Sequence, residues 1–238
     1  MVKKLIISAG GESKRMRNFL LKYFNNRPKH LLPLPTGKTI LEEIVEKSLK
    51  YFSKIIISSN EKNKRFFQKI FKRKKIVSIE IDKFLTGPLG PICRELLKTR
   101  KRVYGCAGDF FCDFYWEEFE KFHNVHRKPI SVLVAPSPSM PEGAKFILKG
   151  SLIVAWRRVK RTNDFDLINI GAYIIDPVSE VLKAISKIEY HKEDVFYDLF
   201  VPKGLVCGYN PGVLGFNINR VSTYKKLLNW LKNSKQNI

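Results

Sequence analysis

Two segments near the start of the chain carry residue types that could hold a phosphate group. In the run from Ser8 to Arg15, the adjacent glycines Gly10 and Gly11 let the backbone approach a ligand closely and turn its N–H groups towards it. Lys29 follows, and its ammonium group could offset negative charge that develops on a phosphate. Each segment alone would suit a plain turn or a solvated lysine, so the argument depends on their order along the chain.

A carboxylate, Asp109, ends an apolar run later in the chain. The preceding residues, Cys106-Ala107-Gly108, close a predicted strand. In an open α/β sheet, ligands bind in the loops at the carboxyl ends of the strands. Magnesium is a hard cation that proteins hold with one or two carboxylates together with substrate phosphates. Asp109 would be a simple turn residue on one interpretation; the family resemblance set out below implies a magnesium ligand instead.

The overall charge of the chain is strongly positive. Lys and Arg number 44 against 22 Asp and Glu, which gives a net charge of +22. Such an excess attracts polyanions: nucleic acid, acidic membrane or phosphorylated small molecules. The densest basic runs, 71–75 and 98–102, connect predicted helices to predicted strands, as solvated loops do. Charge alone therefore does not indicate a nucleic-acid-binding protein, and the four cysteines show no spacing typical of metal ligands.

The elements that must position these residues alternate between strands and helices in the first half of the chain. Apolar β-rich runs predict the strands, and apolar residues at helical spacing predict the helices between them. The predicted strands are 4–8, 54–59, 76–81, 102–107 and 130–135, and the predicted helices are 40–49, 61–71, 92–98 and 115–125. This alternation predicts an α/β fold with a doubly wound, mostly parallel, Rossmann-like sheet and helices on both faces.

The second half has a different pattern. Lys149-Gly150-Ser151 lies between two apolar runs and predicts a small β-hairpin insertion. Further strands are predicted at 169–175, 205–208 and 213–217, with helices at 178–188 and near the C-terminus. No apolar run reaches the roughly 18 residues of a membrane span, and the N-terminus lacks a signal peptide's cleavage site. We therefore expect no membrane partner and a cytoplasmic location.

In chain order, these features resemble the nucleotidyltransferase superfamily of sugar-1-phosphate nucleotidylyltransferases and molybdenum-cofactor guanylyltransferases. The shared pattern is a strand, a glycine loop that ends in arginine, and a Pro-Lys-x-Leu-type segment ahead of a helix, here 6–15 and 28–34. The resemblance implies three catalytic residues, Arg15, Lys29 and Asp109. It also implies nucleotide binding by two loops, whose residues are Ala9, Gly10, Gly11 and Ser13 in the first and Gly87, Pro88 and Leu89 in the second.

The same resemblance assigns the acceptor side. The segment Asn169-Ile170-Gly171-Ala172-Tyr173 is similar to one that lies beside the acceptor in the sugar branch, so Asn169 and Gly171 are predicted to bind it. Arg157, Arg158 and Lys160 stand where that branch has a Glu-Lys-Pro acceptor segment, and they are candidates for contact with the acceptor phosphate.

A late segment departs from the sugar branch. That branch usually supplies a second magnesium aspartate there, whereas this chain has Asn217, whose amide oxygen is a neutral and weaker ligand. The cofactor branch does show asparagine at this place. The predicted metal ligands are therefore Asp109 and Asn217.

The resemblance implies a magnesium-dependent nucleotidyltransferase that moves a nucleoside monophosphate from an NTP to a phosphorylated small acceptor and releases pyrophosphate. It implies one domain over 1–238, with an NTP-binding half at 1–136 and an acceptor-side half, including the hairpin, at 137–238. A sugar- or polyol-1-phosphate acceptor is favoured over a molybdenum-cofactor or cobinamide-phosphate guanylyltransferase-like activity. A degenerate NTP-binding protein, motivated by Asn217, and an RNA-binding protein, motivated only by charge, are the alternatives from other classes. The sequence does not decide between GTP, CTP and UTP.

Overall fold

Strands and helices alternate along the first half of the chain and mix in the second. The computed structural model describes residues 3–82, 87–136, 143–159 and 166–234. The helices are α1 (Arg17–Phe24), α2 (Ile40–Leu49), α3 (Glu61–Phe71), α4 (Gly90–Thr99), α5 (Trp116–His126), α6 (Ser179–Ile185), α7 (Glu193–Phe200) and α8 (Val221–Ser234). The strands are β1 (Lys4–Ser8), β2 (Lys54–Ser59), β3 (Val77–Ile81), β4 (Val103–Ala107), β5 (Phe110–Cys112), β6 (Ile130–Pro136), β7 (Gly143–Lys149), β8 (Leu152–Val159), β9 (Leu167–Ile175), β10 (Val206–Tyr209) and β11 (Gly215–Asn217).

The main sheet is mixed. Within the described residues it has nine strands in the order β3-β2-β1-β4-β9-β6-β10-β8-β7. The pairs β3–β2, β2–β1, β1–β4 and β6–β10 are parallel. In contrast, β9 is antiparallel to both β4 and β6, and β8 is antiparallel to β10 and β7. The predicted α/β class is confirmed, but the sheet is not mostly parallel.

The route of the chain explains the antiparallel strands. A strand that runs parallel to its predecessor needs a crossover connection, usually a helix. In the described part of the stretch from β6 to β9 there is no helix, only the hairpin of β7 and β8. The chain therefore returns in the opposite direction and places β9 between β4 and β6.

Helices cover both faces of the sheet. Alternate residues of β1 point to opposite sides, with Leu5 and Ile7 in one apolar cluster and Ile6 in the other. The first cluster includes side chains of α2, α3, α5 and α8, and the second includes side chains of α4, α6 and α7. Among the described residues, no helix is long and apolar enough to cross a membrane.

A second, two-stranded sheet lies close to the end of β4. In it β11 pairs antiparallel with β5, and Asn217 lies opposite Phe110. The backbone N–H of Ile218 donates to the carbonyl of Asp109 over 2.7 Å. This pairing fixes the late segment next to the candidate metal ligand.

Candidate active site

A cleft with a volume of about 590 Å³ opens at the carboxyl ends of β1, β2 and β4. Its size is within the usual range for small-molecule sites. The predicted site residues among those that line it are Gly10, Gly11, Lys29, Gly87, Pro88 and Asp109. Residues from four separate segments of the sequence therefore lie around one cleft.

Lys29 and Asp109 form an ion pair in this cleft. Lys29 Nζ contacts Asp109 Oδ2, and the two side chains are only 13% and 15% exposed. Burial raises the pKa of Asp109, but favourable interactions, of which the charge of Lys29 is the largest, outweigh it and lower that pKa. The neighbouring His30 is buried, and burial lowers its pKa to about 4. Asp109 is therefore ionised and His30 neutral at neutral pH.

The end of β4 is tied directly to the end of β1. The N–H of Gly108 donates to the carbonyl of Ser8 over 2.9 Å. A Cβ on Gly108 would lie 3.0 Å from the Ala9 side chain and 3.2 Å from the His30 ring, so the position has little room for a side chain. This close approach places Asp109 beside the glycine loop.

Two asparagines at the start of α3, the capping residue Asn60 and Asn63 of the first turn, hold the glycine loop. Asn60 Nδ2 donates to the carbonyl of Gly10 over 2.6 Å, and Asn63 Nδ2 donates to that of Gly11 over 3.4 Å. Because the C=O and N–H of a trans peptide point in opposite directions, the N–H groups of Gly11 and Glu12 face away from α3. Amides arranged in this way are suited to bind an anion.

The other predicted residues of this loop have distinct positions. Ala9 is buried, and its N–H donates to Ser58 of β2 over 2.8 Å. Ser13 has a left-handed backbone, with φ of 57°, and its Oγ accepts from the N–H of Lys29 over 3.4 Å. Arg15 lies in the short 3₁₀ turn Lys14–Met16 with its side chain exposed, and it is not among the described residues that line the cleft.

The second nucleotide loop packs against the segment before α7. Gly87 has a φ of 90°, and a Cβ there would lie 2.8 Å from the carbonyl oxygen of His191. The N–H of Leu89 donates to the same carbonyl over 3.2 Å, while its side chain is buried in the core. Tyr190, next to His191, is 48% exposed and lines the cleft, and no sequence motif had indicated it.

Among the residues predicted to bind the acceptor, Asn169 makes its hydrogen bonds to other groups of the protein. Its Nδ2 donates to Tyr173 Oη and to Glu193 Oε1, each over 2.7 Å, and its Oδ1 accepts from the N–H of Gly171 over 2.8 Å. Gly171 lies beside Ala107 of β4, and a Cβ there would be 3.1 Å from that side chain. The predicted segment is therefore next to the cleft, with its amide directed at Glu193.

The two arginines of β8 differ in their surroundings. Arg158 Nε donates to both carboxylate oxygens of Asp194, over 3.0 and 3.2 Å, and its Nη2 lies 3.8 Å from Glu193 Oε2. Its charge is therefore already shared with two carboxylates. Arg157 is exposed, and Lys160 lies outside the described residues.

The described residues contain no group of three or more His, Cys, Asp and Glu that could hold a metal ion. Asn217 lies next in register to Asp109, because Ile218 is hydrogen-bonded to the Asp109 carbonyl. In this register Asn217 lies opposite Phe110, and Asp109 is the carboxylate of the pair that lines the cleft. Magnesium commonly takes one or two protein carboxylates and completes its shell with water and substrate phosphates, so the Asp109 carboxylate fits it.

The first part of the chain matches a known protein-family model. Residues 5–112, which include the glycine loop and Asp109, match the family model of the MobA-like NTP transferase domain. None of the curated proteins compared with the sequence matches it.

Solved structures share the fold over almost the whole chain. A protein provisionally named glucose-1-phosphate thymidylyltransferase, from Bacillus anthracis, has a TM-score of 0.77 at 13% identity and covers 96% of this chain and 95% of its own. The inositol-1-phosphate CTP transferase from T. maritima has a TM-score of 0.71 at 14% identity, with coverage of 96% and 95%. HddC from Yersinia pseudotuberculosis, complexed with GMP-PN, has a TM-score of 0.70 at 18% identity, with coverage of 97% and 100%. Residues 5–112 are therefore similar to an NTP transferase domain, and nearly the whole chain shares its fold with these solved structures.

Proposed function

We propose that the protein transfers a nucleoside monophosphate from an NTP to a sugar- or polyol-1-phosphate and releases pyrophosphate. The observation that carries the proposal is the Lys29–Asp109 pair, which lies in one cleft with the glycine loop. A basic group, an ionised carboxylate and backbone N–H groups that point away from α3 are the kinds of group that phosphoryl transfer requires. The match to an NTP transferase domain supports the same chemistry.

The reaction we propose is a direct displacement. A phosphate oxygen of the acceptor forms a bond to the α-phosphorus, and the bond from that phosphorus to the oxygen bridging the α- and β-phosphates breaks. The electron pair of that bond leaves with pyrophosphate. No covalent enzyme intermediate is needed, so the work of the protein is positioning and charge neutralisation.

The residues of the chain divide this work. The amides of the glycine loop, held by Asn60 and Asn63, bind the phosphates of the NTP. Lys29 offsets the negative charge that develops at the α-phosphate, and Arg15 is proposed to reach the outer phosphates. Gly87 and Pro88 line the part of the cleft assigned to the base and ribose.

Magnesium is the proposed cofactor, held by Asp109 and, more weakly, by the amide oxygen of Asn217. When bound, it would neutralise phosphate charge as a Lewis acid. Asp109 suits this role because its pKa is lowered, so it is available as a carboxylate at neutral pH.

The proposed acceptor follows from the similar structures. Two of them are named for transfer to glucose-1-phosphate and to inositol-1-phosphate. The family model that matches residues 5–112 is MobA-like, which keeps a cofactor guanylyltransferase-like activity as the second candidate. One similar protein is named for thymidylyl transfer, one is named for CTP, and one is complexed with GMP-PN. The base is therefore left to experiment.

A substrate screen tests the proposed function. The protein is mixed with magnesium, each of the four NTPs and a panel of sugar-1-phosphates, polyol phosphates and pterin phosphates, and pyrophosphate release is measured. We expect release that depends on both the NTP and a sugar or polyol phosphate. Tight NTP binding without any release would instead indicate a degenerate NTP-binding protein and would contradict the proposal.

Asp109→Ala is expected to abolish magnesium-dependent turnover while the fold is retained. The matched control is Asp113→Ala, because Asp113 is 60% exposed and is paired with Lys47 outside the cleft. Turnover and circular dichroism are measured for both variants. If Asp109→Ala kept more than about a tenth of the wild-type kcat, a loss of at most about 1.4 kcal/mol in transition-state stabilisation, the assigned role of Asp109 would be wrong.

A further inference from the structure

Glu193, the first residue of α7, is a carboxylate that the reaction described above does not use. Its side chain is 23% exposed, which leaves it largely buried yet accessible to a ligand. Buried carboxylates are costly unless their oxygens are hydrogen-bonded or paired. The contacts of each oxygen therefore indicate which of the two could accept a hydrogen bond from a ligand.

One carboxylate oxygen is fully engaged by the protein. Glu193 Oε1 accepts from Asn169 Nδ2 over 2.7 Å and from Tyr173 Oη over 2.8 Å. Tyr197 Oη lies 3.3 Å from Tyr173 Oη and completes the network. Asn169, Tyr173 and Tyr197 are all buried, so the carboxylate is held in one orientation.

The other oxygen is left available. Glu193 Oε2 lies 3.8 Å from Arg158 Nη2, which is beyond hydrogen-bonding distance. Arg158 is itself held by a two-point contact with Asp194. In the part of the chain that the structure describes, Oε2 has no hydrogen-bond donor, although its lone pairs could accept one.

The strand register places the partners of Glu193 beside the cleft. In the β4–β9 pair Ala172 lies opposite Cys106, and Gly171 lies beside Ala107, a residue that lines the cleft, two residues after Asn169. Glu193 is hydrogen-bonded to that asparagine. Burial raises the pKa of Glu193, the hydrogen bond from Tyr173 and the charge of Arg158 oppose this, and the net direction is upward.

We propose that Glu193 Oε2 accepts a hydrogen bond from a hydroxyl group of the acceptor and so selects polyhydroxylated acceptors. A carboxylate repels a phosphate but accepts hydrogen bonds from neutral hydroxyl groups, and such bonds are stronger than neutral ones. The acceptor phosphate therefore lies towards Lys29, and the sugar or polyol body lies towards Glu193. This inference rests on the proposed function and adds to it a residue that determines which acceptor is bound.

Glu193→Gln tests the proposal with little change in volume. The glutamine oxygen can keep the contacts of Oε1, while an amide donor replaces the accepting Oε2. With the best sugar or polyol phosphate from the screen, we expect the acceptor KM to rise about 10- to 100-fold. The NTP KM is expected to change less than about twofold, because Glu193 does not face the triphosphate.

Acceptor analogues that each lack one hydroxyl group make the test specific. For the wild type, removal of the contacted hydroxyl should raise KM about 10- to 100-fold. For Glu193→Gln, the same removal should have no further effect, because the partner of that hydroxyl is already gone. Additive losses would show that Glu193 acts on something else, and would overturn the proposal.

A control on the same helix separates this role from a general effect of charge. Asp198→Asn changes an exposed carboxylate of α7 that accepts from Trp156 Nε1 over 3.1 Å, and it should leave the acceptor KM unchanged. If Glu193→Gln fails to fold, the acceptor KM of the wild type is compared across the analogues instead. A wild type whose acceptor KM is unchanged by the loss of any one hydroxyl group overturns the proposal. A wild type that transfers only to a pterin phosphate also overturns it but leaves nucleotidyl transfer standing. Absence of any pyrophosphate release removes the proposed function itself.

Discussion

At the scale of single residues, the ion pair between Lys29 and Asp109 affects both the stability of the fold and the proposed reaction. Both side chains are largely buried, so each charge depends on the other for compensation. Removing one member of such a pair leaves an uncompensated buried charge, which destabilises a protein more than the pair stabilises it. Every substitution at this pair therefore has to be judged by both turnover and unfolding.

Lys29→Met keeps much of the side-chain volume and removes the charge. We expect kcat to fall about 100-fold or more and the Kd for NTP to rise less than about fivefold, because the ammonium acts on charge that develops in the transition state. Single-turnover kinetics and calorimetric titration measure the two effects. Lys14→Met is the matched control, because Lys14 also lines the cleft but is 83% exposed and paired with Glu12.

The opposite pattern would reassign Lys29. A variant with an unchanged kcat and only a raised KM for NTP would show that Lys29 binds the ground state. The unfolding free energy of the variant is also expected to be lower than that of the wild type, because Asp109 loses its counter-charge.

At the scale of the elements, regular apolar spacing was the signal that predicted most of them, and α2 and α3 carry capping residues as well. Thr39 begins α2 with a capping box formed with Glu42, and Asn60 begins α3 by accepting from Asn63. The predicted boundaries of β1, β2 and α3 agree with the structure. Local patterns were sufficient here because apolar spacing and the caps indicated the same element.

The helices α1 and α7 were missed. The residues before α1 and α7 are Met16 and Lys192, and neither side chain caps its helix. With α7 unpredicted, Glu193 could not be recognised as a site residue. The position of β9 between β4 and β6 was also missed, because it is decided by pairing with strands distant in sequence.

Asn60 connects the first turn of α3 to the glycine loop, and its two roles can be separated. Its Oδ1 caps the helix by accepting from the N–H of Asn63 over 2.8 Å, while its Nδ2 donates to Gly10. Serine caps a helix about as well as asparagine but lacks the amide donor. For Asn60→Ser we therefore expect NTP affinity to fall about fivefold to tenfold, with a loss of about 1 kcal/mol in unfolding free energy for the one hydrogen bond.

Asn60→Ala supplies the comparison. It removes the cap as well as the donor, so we expect a further loss of about 1 kcal/mol in unfolding free energy and the same NTP affinity as Asn60→Ser. Urea unfolding and NTP titration are measured on both variants. An Asn60→Ser protein that binds NTP as tightly as the wild type would show that the loop does not depend on this amide.

At the scale of the whole molecule, neither half of the sequence has a complete sheet of its own. The strand β9 belongs to the half at 137–238, yet it lies between β4 and β6 of the half at 1–136. Ile174 of β9 is opposite Tyr104 on one side and Ser131 on the other. Without β9, two inner strands of the first half would expose unpaired edges. A single domain over 1–238 therefore stays our prediction, and the shared sheet gives the means to test it.

A single domain should unfold in one cooperative transition, and the tryptophans allow both halves to be followed. Trp116 is buried in the first half, with its Nε1 donating to Ser48 over 3.2 Å, and Trp156 lies in the second half against Tyr197. In two variants that each keep one of these tryptophans and carry Phe in place of the others, fluorescence reports one half at a time. Because a two-state transition gives the same stability by every probe, we expect both variants to give the same unfolding free energy after correction for the Phe substitutions.

Adding Ile174→Val to each variant then tests whether β9 couples the halves. Ile174 is fully buried, so loss of one methyl group should lower the unfolding free energy by about 0.5 to 1.5 kcal/mol. In a single domain the urea midpoint moves by the same amount at Trp116 and at Trp156, because both signals report one equilibrium. Had the halves folded separately, β9 would belong to the second half alone, and only the Trp156 midpoint would move. A shift confined to one tryptophan would therefore divide the chain into two domains and contradict the prediction.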